Sequence, residues 1–413
     1  MNQETEEEIL TAVDFGSTKV CALIGVVRDG AVVVRGMGQV SSHGLKKGTV
    51  VDIETTAEAV IRAVREAGQQ AGLPPGPVFA SIGGHHIHTA SSQAMVAISN
   101  REREITQEDF DRVIEQAQNI SIPGDHQILH AIVQEFSVDQ QDGIRNPVGM
   151  VGNKLEARVR IVTGAITCIQ NVVRSVQRAG LAFGGLILQA LASEKAVLTH
   201  EERELGVACL DMGGGTMDLA VLSGRSLRHT AVITLGGEQI TQDISFGLRI
   251  PFASAEEVKR KAGACSMAAV GEEDSIQVPA LGGRPARNVP RRSVARIIEP
   301  RIEEMLEMVR DELRTAGCTE EMLGGGLVLT GGCANLQGLV EKAEQVFERL
   351  SARIGEPSRL PDAPPGLAGP QYATAVGLLM EAAEQRKRMS ARRPGPSLAG
   401  VTRWIKGLMR RKE

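Results

Sequence analysis

Aromatic side chains are scarce in this chain: Phe, Trp and Tyr together make up 2% of its 413 residues. The core must therefore be built from aliphatic residues and methionine, and a hydrophobic content of 42% is enough to build one. The six cysteines form no CxxC pair. This argues against a disulfide framework or a zinc site and favours reduced thiols in a cytosolic compartment. Length alone predicts about two to three domains.

Long apolar runs are also absent, since no segment approaches the roughly 20 residues that a membrane-spanning helix needs. The first residues, MNQETEEEIL, are acidic and lack the basic start and apolar stretch of a signal peptide. We therefore expect the body of the protein to be soluble.

The net charge of −4 is unevenly distributed along the chain. Residues 384–413 contain ten Lys or Arg and two Glu, a balance of +8, so residues 1–383 carry −12. A protein that coats nucleic acid would carry its positive charge on the folded body. An acidic body with a basic C-terminal segment instead predicts that the segment meets an anionic surface, such as a membrane.

A short pattern occurs twice, in residues 12–22 (AVDFGSTKVCA) and 209–220 (CLDMGGGTMDLA). Each copy is an apolar strand that ends in Asp, then a Gly-containing turn with a hydroxyl residue, then a second apolar strand. Asp14 and Asp211 are 197 residues apart, which indicates two copies of one domain plan. A related element, LVLTGG at residues 327–332, is an apolar strand that runs into two glycines.

Turns of this kind bind phosphate, because glycine adopts conformations closed to other residues and lets amide groups approach an anion. Either hairpin alone is equally well interpreted as an ordinary turn, but the three elements together favour a nucleotide. We expect Asp14 and Asp211 to hold the waters of a Mg2+ ion, and Gly331 and Gly332 to leave room for a base or ribose. The residues predicted to bind phosphate are Gly16, Ser17, Thr18 and Lys19 in the first hairpin and Gly213, Gly214, Gly215 and Thr216 in the second.

Helical and strand patterns alternate around these motifs, which predicts an α/β fold. The predicted helices are residues 54–71, 107–120, 167–179, 191–199 and 294–316, and predicted strands lie near 126–138 and 155–165. Two segments, 85–163 and 246–308, look like insertions into the two copies. Loops are predicted at 280–292 (ALGGRPARNVPRR) and 356–370, and residues 386–400 have the composition of a linker.

The three motifs in this order resemble the actin superfamily, which includes actin, the heat-shock chaperone ATPases and sugar kinases. Longer stretches are similar to the FtsA family of bacterial cell-division proteins. These stretches are residues 206–245, 188–193 (LQALAS), 254–263 (SAEEVKRKAG), 297–306 (IIEPRIEEML) and 327–339 (LVLTGGCANLQGL). The similarity covers about residues 8–385, and Cys333 departs from the third glycine that is common at its position.

The resemblance implies a two-lobed actin-like ATPase fold of duplicated ribonuclease-H-like domains, with a 1C-type inserted subdomain and a C-terminal amphipathic helix. The implied parts are subdomain 1A (8–84 and 164–194, with part of 371–385), 1C (85–163), 2A (195–245 and 309–370), 2B (246–308), a linker (386–400) and the terminal helix (401–413).

The resemblance also implies ATP with Mg2+ in the cleft, with Gly237, Glu238 and Lys259 near the ribose and adenine. Gln189 would orient the attacking water, although an amide that satisfies backbone groups is an equally good interpretation. Asp14, Gln189 and Asp211 are the candidate catalytic residues of what is at most a slow ATPase.

The same resemblance implies a protein partner. Arg287 and Arg301 match basic positions of the 2B subdomain where the acidic and apolar C-terminal tail of the division tubulin FtsZ docks. Solvated surface is an equally good interpretation of these two arginines.

Residues 401–413 (VTRWIKGLMRRKE) have the pattern of an amphipathic helix. At 100° per residue the apolar side chains fall within an arc of about 140° and three cations lie opposite, which predicts a helix in the membrane interface. A final helix that packs on the body is the alternative. The apolar residues are Val401, Trp404, Ile405, Leu408 and Met409, and the opposing cations are Arg403, Lys406 and Arg410.

The leading hypothesis is a cell-division scaffold that polymerises with ATP on the cytoplasmic face of the bacterial membrane, at the division site. It would anchor FtsZ filaments there and recruit later divisome proteins, with no nucleic-acid partner. The alternatives are an actin-like pilus-assembly adaptor and, less well supported, a small-molecule kinase of the same fold; neither accounts for the terminal helix.

His85, His86 and His88 are interpreted as a loop rather than a metal site, because no cysteine or carboxylate lies at ligand spacing.

Overall fold

The computed structural model describes residues 8–28, 31–99, 103–224, 226–279, 285–357 and 365–391. The strands are β1 (Glu8–Phe15), β2 (Lys19–Arg28), β3 (Ala31–Ser41), β4 (Leu45–Lys46), β5 (Thr49–Val50), β6 (Val78–Ile82), β7 (His88–Ala97), β8 (His126–Val138), β9 (Gln141–Ile144), β10 (Lys154–Ala165), β11 (Phe183–Leu188), β12 (Val207–Met212), β13 (Met217–Ser223), β14 (Ser226–Ile233), β15 (Ser275–Val278), β16 (Arg287–Pro290), β17 (Leu327–Thr330) and β18 (Ala352–Ile354). The α-helices are α1 (Ile53–Ala71), α2 (Gln107–Ala117), α3 (Ile166–Arg178), α4 (Gln189–Val197), α5 (His200–Leu205), α6 (Gly237–Leu248), α7 (Phe252–Ala262), α8 (Arg291–Thr315), α9 (Leu339–Phe347) and α10 (Ala373–Ala391).

Two five-stranded sheets carry the repeated hairpins, one in each lobe. The first lobe has the order β11-β6-β1-β2-β3, with β2 antiparallel and β6 parallel to β1. The second has the order β14-β13-β12-β17-β18, with β13 antiparallel and β17 parallel to β12. The four hairpin strands are buried along most of their length, as apolar strands covered on both faces should be. The predicted duplication is therefore present, and β3 and β14 extend each hairpin by a strand that the motifs did not reveal.

Helices α4 and α10 pack against each other between the two lobes. Their shared core takes side chains from β1 and β6 on one side and from β12 and β13 on the other. Gly377 of α10 lies so close to the carbonyl of Ala192 on α4 that no side chain fits there. The outer face of the first sheet is covered by α1 and α3, and that of the second by α6 and α8.

The first insertion folds as a unit with its own core. Its sheet has the order β7-β10-β8-β9, and α2 packs on it. Helix α2 begins with a capping box in which Thr106 and Asp109 satisfy each other's backbone amides. The strands predicted near 126–138 and 155–165 are observed as β8 and β10.

The second insertion contains α7, the β15-β16 hairpin and most of α8. The loop predicted for residues 280–292 is wrong in its second half, because β16 pairs with β15 and α8 begins at Arg291. The reason is burial: Val278 and Val289 lie in the core of the second lobe. Helix α10 also continues to Ala391, through the first six residues of the segment with a linker's composition.

Candidate functional site

The two hairpins form turns of the same kind at the ends of β1 and β12. The amide of Gly16 donates to the carbonyl of Lys19 at 3.1 Å, and the amide of Gly213 donates to that of Thr216 at 2.9 Å. A Cβ atom on Gly16 would lie only 2.6 Å from the Lys19 carbonyl oxygen, so this turn requires glycine there.

The two turns meet across the cleft between the lobes. A Cβ atom on Gly214 would lie 2.9 Å from Thr18 Oγ1, and one on Gly215 would lie 2.8 Å from Ser17 Cβ. A larger residue at either glycine would push the opposite lobe away. The structure thus brings the residues predicted to bind phosphate from both hairpins into one cluster.

Asp14, at the end of β1, is buried and held by two side chains. Its Oδ1 accepts from Ser81 Oγ at 2.9 Å and from Gln189 Nε2 at 3.4 Å. The Gln189 amide also donates to the carbonyl of Phe15 and to Ser81 Oγ, both at 3.2 Å. Burial raises the pKa of Asp14 to about 6, against the opposing effect of Lys19 and Ser81. A bound cation would favour its ionised form.

Asp211 occupies the equivalent place at the end of β12. Its Oδ2 accepts from Thr374 Oγ1 of α10 at 2.8 Å and from Ser193 Oγ of α4. Burial raises its pKa, while these two hydroxyls and Lys19 act in the opposite direction. The two aspartates are close enough for the charge of Asp211 to raise the pKa of Asp14.

Asp218, paired with Asp211 across the second hairpin, is a further buried carboxyl that the sequence reasoning missed. Its Oδ2 accepts from Thr216 Oγ1 at 3.0 Å, but its Oδ1 has no hydrogen-bond partner among the described residues. Burial and the charge of Asp211 raise its pKa to about 8. The sequence signal that could have revealed Asp218 is its position in the repeated hairpin, which is equivalent to that of Cys21 in the first copy.

Lys19 lies where the two lobes and the start of α10 meet. Its Nζ donates to the carbonyl of Gln371 at 2.6 Å and lies 4.3 Å from the centre of the Tyr372 ring. Its charge lowers the pKa of both Asp14 and Asp211. Lys19 therefore acts on both carboxylates while its ammonium group is bonded to the segment before α10.

The residues predicted to approach the ribose lie beside the second turn. The amides of Gly237 and Glu238 donate to the carbonyls of Gly213 and Gly214 at 2.9 and 2.8 Å. Lys259 Nζ donates to the Gly237 carbonyl at 2.9 Å and pairs with a glutamate of its own helix, α7. These contacts fix the start of α6 against the glycine turn.

The double glycine after β17 completes the cluster. Gly331 has φ of +86°, and a Cβ atom there would lie 2.7 Å from the carbonyl oxygen of Met212. A Cβ atom on Gly332 would meet no described atom within 4 Å, so a flat group has room to approach. The Cys333 thiol donates to the Gly213 carbonyl at 3.5 Å and ties this element to the second turn.

The acidic residues of the cluster fit a hydrated Mg2+ ion. Mg2+ prefers one or two carboxylates with waters and phosphate oxygens, and the unpartnered Oδ1 of Asp218 is an acceptor that a bound water would satisfy. Within the described ranges no three His, Cys, Asp or Glu side chains converge as a direct metal-binding group, and this applies to the histidines near residue 85 as well.

Comparison with known proteins identifies the family. A family model described as cell division protein FtsA matches residues 208–377, and a model of the SHS2 domain inserted in FtsA matches residues 84–163. The chain is 41% identical to the cell division protein FtsA of Pseudomonas aeruginosa, over 97% of this chain and 98% of the relative. It is 39% identical to that of Escherichia coli, over 99% and 98%, and 36% identical to that of Bacillus subtilis, over 94% and 86%. This chain belongs to the FtsA family.

Solved structures confirm the predicted actin-like fold of this FtsA family member. The PilM-PilN type IV pilus biogenesis complex matches with a TM-score of 0.65 at 16% identity, over 91% of this chain and 98% of that chain. MreB5 of Spiroplasma citri bound to ADP matches with a TM-score of 0.57 at 12% identity, over 93% and 98%. At these identities the likeness is one of fold alone. The SHS2 match confirms the inserted subdomain.

The two arginines predicted to bind a partner both contact α6. Arg301 on α8 forms an ion pair with Asp243 at 2.7 Å, and Arg287 donates to the carbonyl of Leu248 at 2.7 Å. Phe246, on the same helix, is 73% exposed. The sequence reasoning missed this exposed aromatic, because exposure depends on which face of α6 the second lobe covers.

Two further observations concern membrane-spanning helices and the position of a cavity. None of the helices in the described ranges is long and apolar enough to cross a bilayer, and the amphipathic helix predicted at 401–413 lies outside those ranges. A cavity of about 280 Å3 lies near the C-terminal ends of α8 and α9, where Leu313 and Phe347 are among its lining residues. No predicted site residue lines this cavity.

Proposed function

We propose that this FtsA family member binds ATP between its lobes and polymerises on the cytoplasmic face of the bacterial cell membrane, at the division site. There it anchors FtsZ filaments and recruits later divisome proteins. The observation that supports nucleotide binding best is the meeting of two matched glycine turns, each beside a buried aspartate. Nucleotide favours the closed arrangement of the lobes because it contacts both turns, which shifts the population towards the polymer-competent state.

Each element of the cluster has a role in this proposal. The amides of both turns bind the phosphates, the space beside Gly332 takes the base, and Glu238 and Lys259 lie beside the ribose. Asp14 and Asp211 hold the waters of Mg2+, which supplies charge neutralisation of the phosphates when bound. Gln189 keeps Asp14 oriented and is placed to orient a water, so any hydrolysis depends on this amide.

A fluorescent ATP analogue tests the nucleotide site. The parent chain should bind it more tightly with Mg2+ than in EDTA. Asp211→Asn should lose most of that Mg2+-dependent gain, because the charge that favours the hydrated cation is removed. Absence of binding by the parent chain would refute the proposal.

Membrane attachment rests on the sequence of residues 401–413 and on the charge separation between body and tail. Anionic lipid contributes about 1 kcal/mol for each nearby Lys or Arg, and a buried large apolar side chain about 1.5–3 kcal/mol. These favourable free energies offset the conformational entropy that is lost when a short helix is ordered. Binding becomes stronger when several copies assemble side by side.

Co-sedimentation with anionic liposomes tests the attachment. The full chain should pellet in the presence of ATP, whereas Trp404→Glu and a truncation after Gly400 should stay in the supernatant. If all three proteins pellet alike, or none does, the terminal segment is not the anchor.

The proposed FtsZ contact uses the surface around α6. An acidic and apolar tail finds an exposed ring at Phe246 and a cation at Arg301, provided that its carboxylate displaces Asp243 from the arginine. Fluorescence anisotropy with a labelled FtsZ C-terminal peptide should show weaker binding to Phe246→Ser and to Arg301→Ala. Unchanged affinity in both variants would place the contact elsewhere.

The pilus-adaptor alternative is supported by fold likeness alone, whereas the FtsA relatives match along nearly the whole chain.

A further inference from the structure

One histidine of the inserted subdomain contacts the body at the edge of the candidate site. His130 lies on β8, and its Nε2 accepts a hydrogen bond from the amide of Leu188 at 3.1 Å. Leu188 is fully buried, ends β11 and is the N-cap of α4. No side chain caps the start of α4, and His130 is the group that accepts from the Leu188 backbone amide.

The acceptor role of His130 requires a neutral ring with its proton on Nδ1. Part of the residue remains accessible, but burial of the ring lowers its pKa to about 4, against the opposing effect of Glu381 on α10. The Nε2 lone pair is therefore available to Leu188 throughout the neutral range.

The residue after Leu188 is Gln189, whose amide holds Asp14. Gln189 sits in a tight space, because a Cβ atom on Gly83 would lie 2.9 Å from its Cδ. A shift of the backbone at Leu188 would carry the Gln189 amide away from Asp14. The hydrogen bond from Leu188 to His130 thus acts on the geometry of the candidate cation site.

Strand β8 is also hydrogen-bonded to the second lobe. Gln134 Nε2 donates to the carbonyl of Leu227 at 2.8 Å, and Ser226 Oγ donates to the carbonyl of Gln134 at 2.7 Å. Since β8 is bonded to β14 four residues beyond His130, the ring is carried on a strand that contacts both lobes.

We propose that His130 is a positioning residue of the nucleotide site: it fixes the start of α4 and thereby holds Gln189 against Asp14. The inference rests on the proposed nucleotide site and deepens it. It makes the inserted subdomain a part of the framework that the Mg2+-bound nucleotide requires.

The test compares two polar substitutions that differ by one methylene group. The Gln side chain in His130→Gln places its oxygen near the position of Nε2 and can still accept from Leu188, whereas the Asn side chain in His130→Asn is too short to reach. His86→Gln is the matched control. His86 is a buried histidine of the same junction, but it accepts from Ala165 through Nδ1 at 3.4 Å and does not contact Leu188.

Dissociation constants for a fluorescent ATP analogue, with Mg2+ and in EDTA, are measured together with the thermal midpoint. His130→Asn should weaken Mg2+-dependent binding about tenfold, which corresponds to about 1.4 kcal/mol, and leave the affinity in EDTA unchanged. His130→Gln should restore the affinity with Mg2+, and His86→Gln should match the parent chain in both conditions.

Three results would overturn the inference. In the first, His130→Asn weakens binding equally with and without Mg2+, as a loss of global stability would. In the second, His86→Gln reproduces the effect of His130→Asn. In the third, both His130 variants bind as the parent chain does. A parent chain that binds no analogue would refute the nucleotide site itself and this inference with it.

Discussion

Replacing Asp218 with Asn should stabilise the nucleotide-free protein by an amount that grows with pH. Burial and the charge of Asp211 raise the pKa of Asp218 from the ordinary 3.8 to about 8. Between these values the folded state holds a proton that the unfolded chain has lost, so this carboxyl lowers the free energy of unfolding as the pH rises. From pH 6 to pH 8 the linkage relation gives a loss of about 2 kcal/mol from this group.

Urea unfolding of the parent chain and of Asp218→Asn at pH 6, 7 and 8, without nucleotide or Mg2+, measures this effect. Asp14 and Glu194, with pKa values of about 6 and about 7, also titrate in this range. The quantity to compare is therefore the difference between the two proteins. Asp311→Asn, which removes an exposed charge from α8, is the control. A difference between parent and Asp218→Asn that stays constant from pH 6 to pH 8 would refute a protonated Asp218.

Three further substitutions test contacts of the cleft. Thr374→Val removes a hydroxyl that donates to Asp211, and the Mg2+-dependent affinity for an ATP analogue should fall about tenfold in a fluorescence titration. Gly214→Ala places a methyl group against the opposite turn, so the same assay should show at least about tenfold weaker binding. Gly377→Ala forces α10 away from the Ala192 carbonyl and should lower the free energy of unfolding by about 2–3 kcal/mol in urea. If a variant has the same affinity or stability as the parent chain, the contact that it tests does not have the role described.

Much of the fold could be predicted from the sequence, because its main signals are local. The repeated Asp and glycine turns mark the two hairpins, and the strand predicted near residues 126–138 coincides with β8. Strand β16 could not be found in this way, since its Gly, Pro and Arg neighbours are typical of a loop. Only the burial of Val289 against the second lobe makes that segment a strand.

The same distinction between local and long-range signals applies to the candidate site. Asp14 and Asp211 carry the motif and are visible in the sequence. Their partners are not, because Ser81 is 67 residues from Asp14 and Thr374 is 163 residues from Asp211. These contacts depend on how α4 and α10 pack between the lobes, which no local pattern encodes.

Helix α4 gives the two carboxylates a common support. Gln189 and Ser193 are four residues apart, so their side chains lie on one face of the helix. Gln189 bonds to Asp14 of the first lobe and Ser193 bonds to Asp211 of the second. Because one short helix holds both aspartates, their separation is fixed by a rigid element rather than by two independent loops. A tilt of α4 would move both carboxylates at once, so opening of the lobes and loss of the cation-site geometry should occur as a single event.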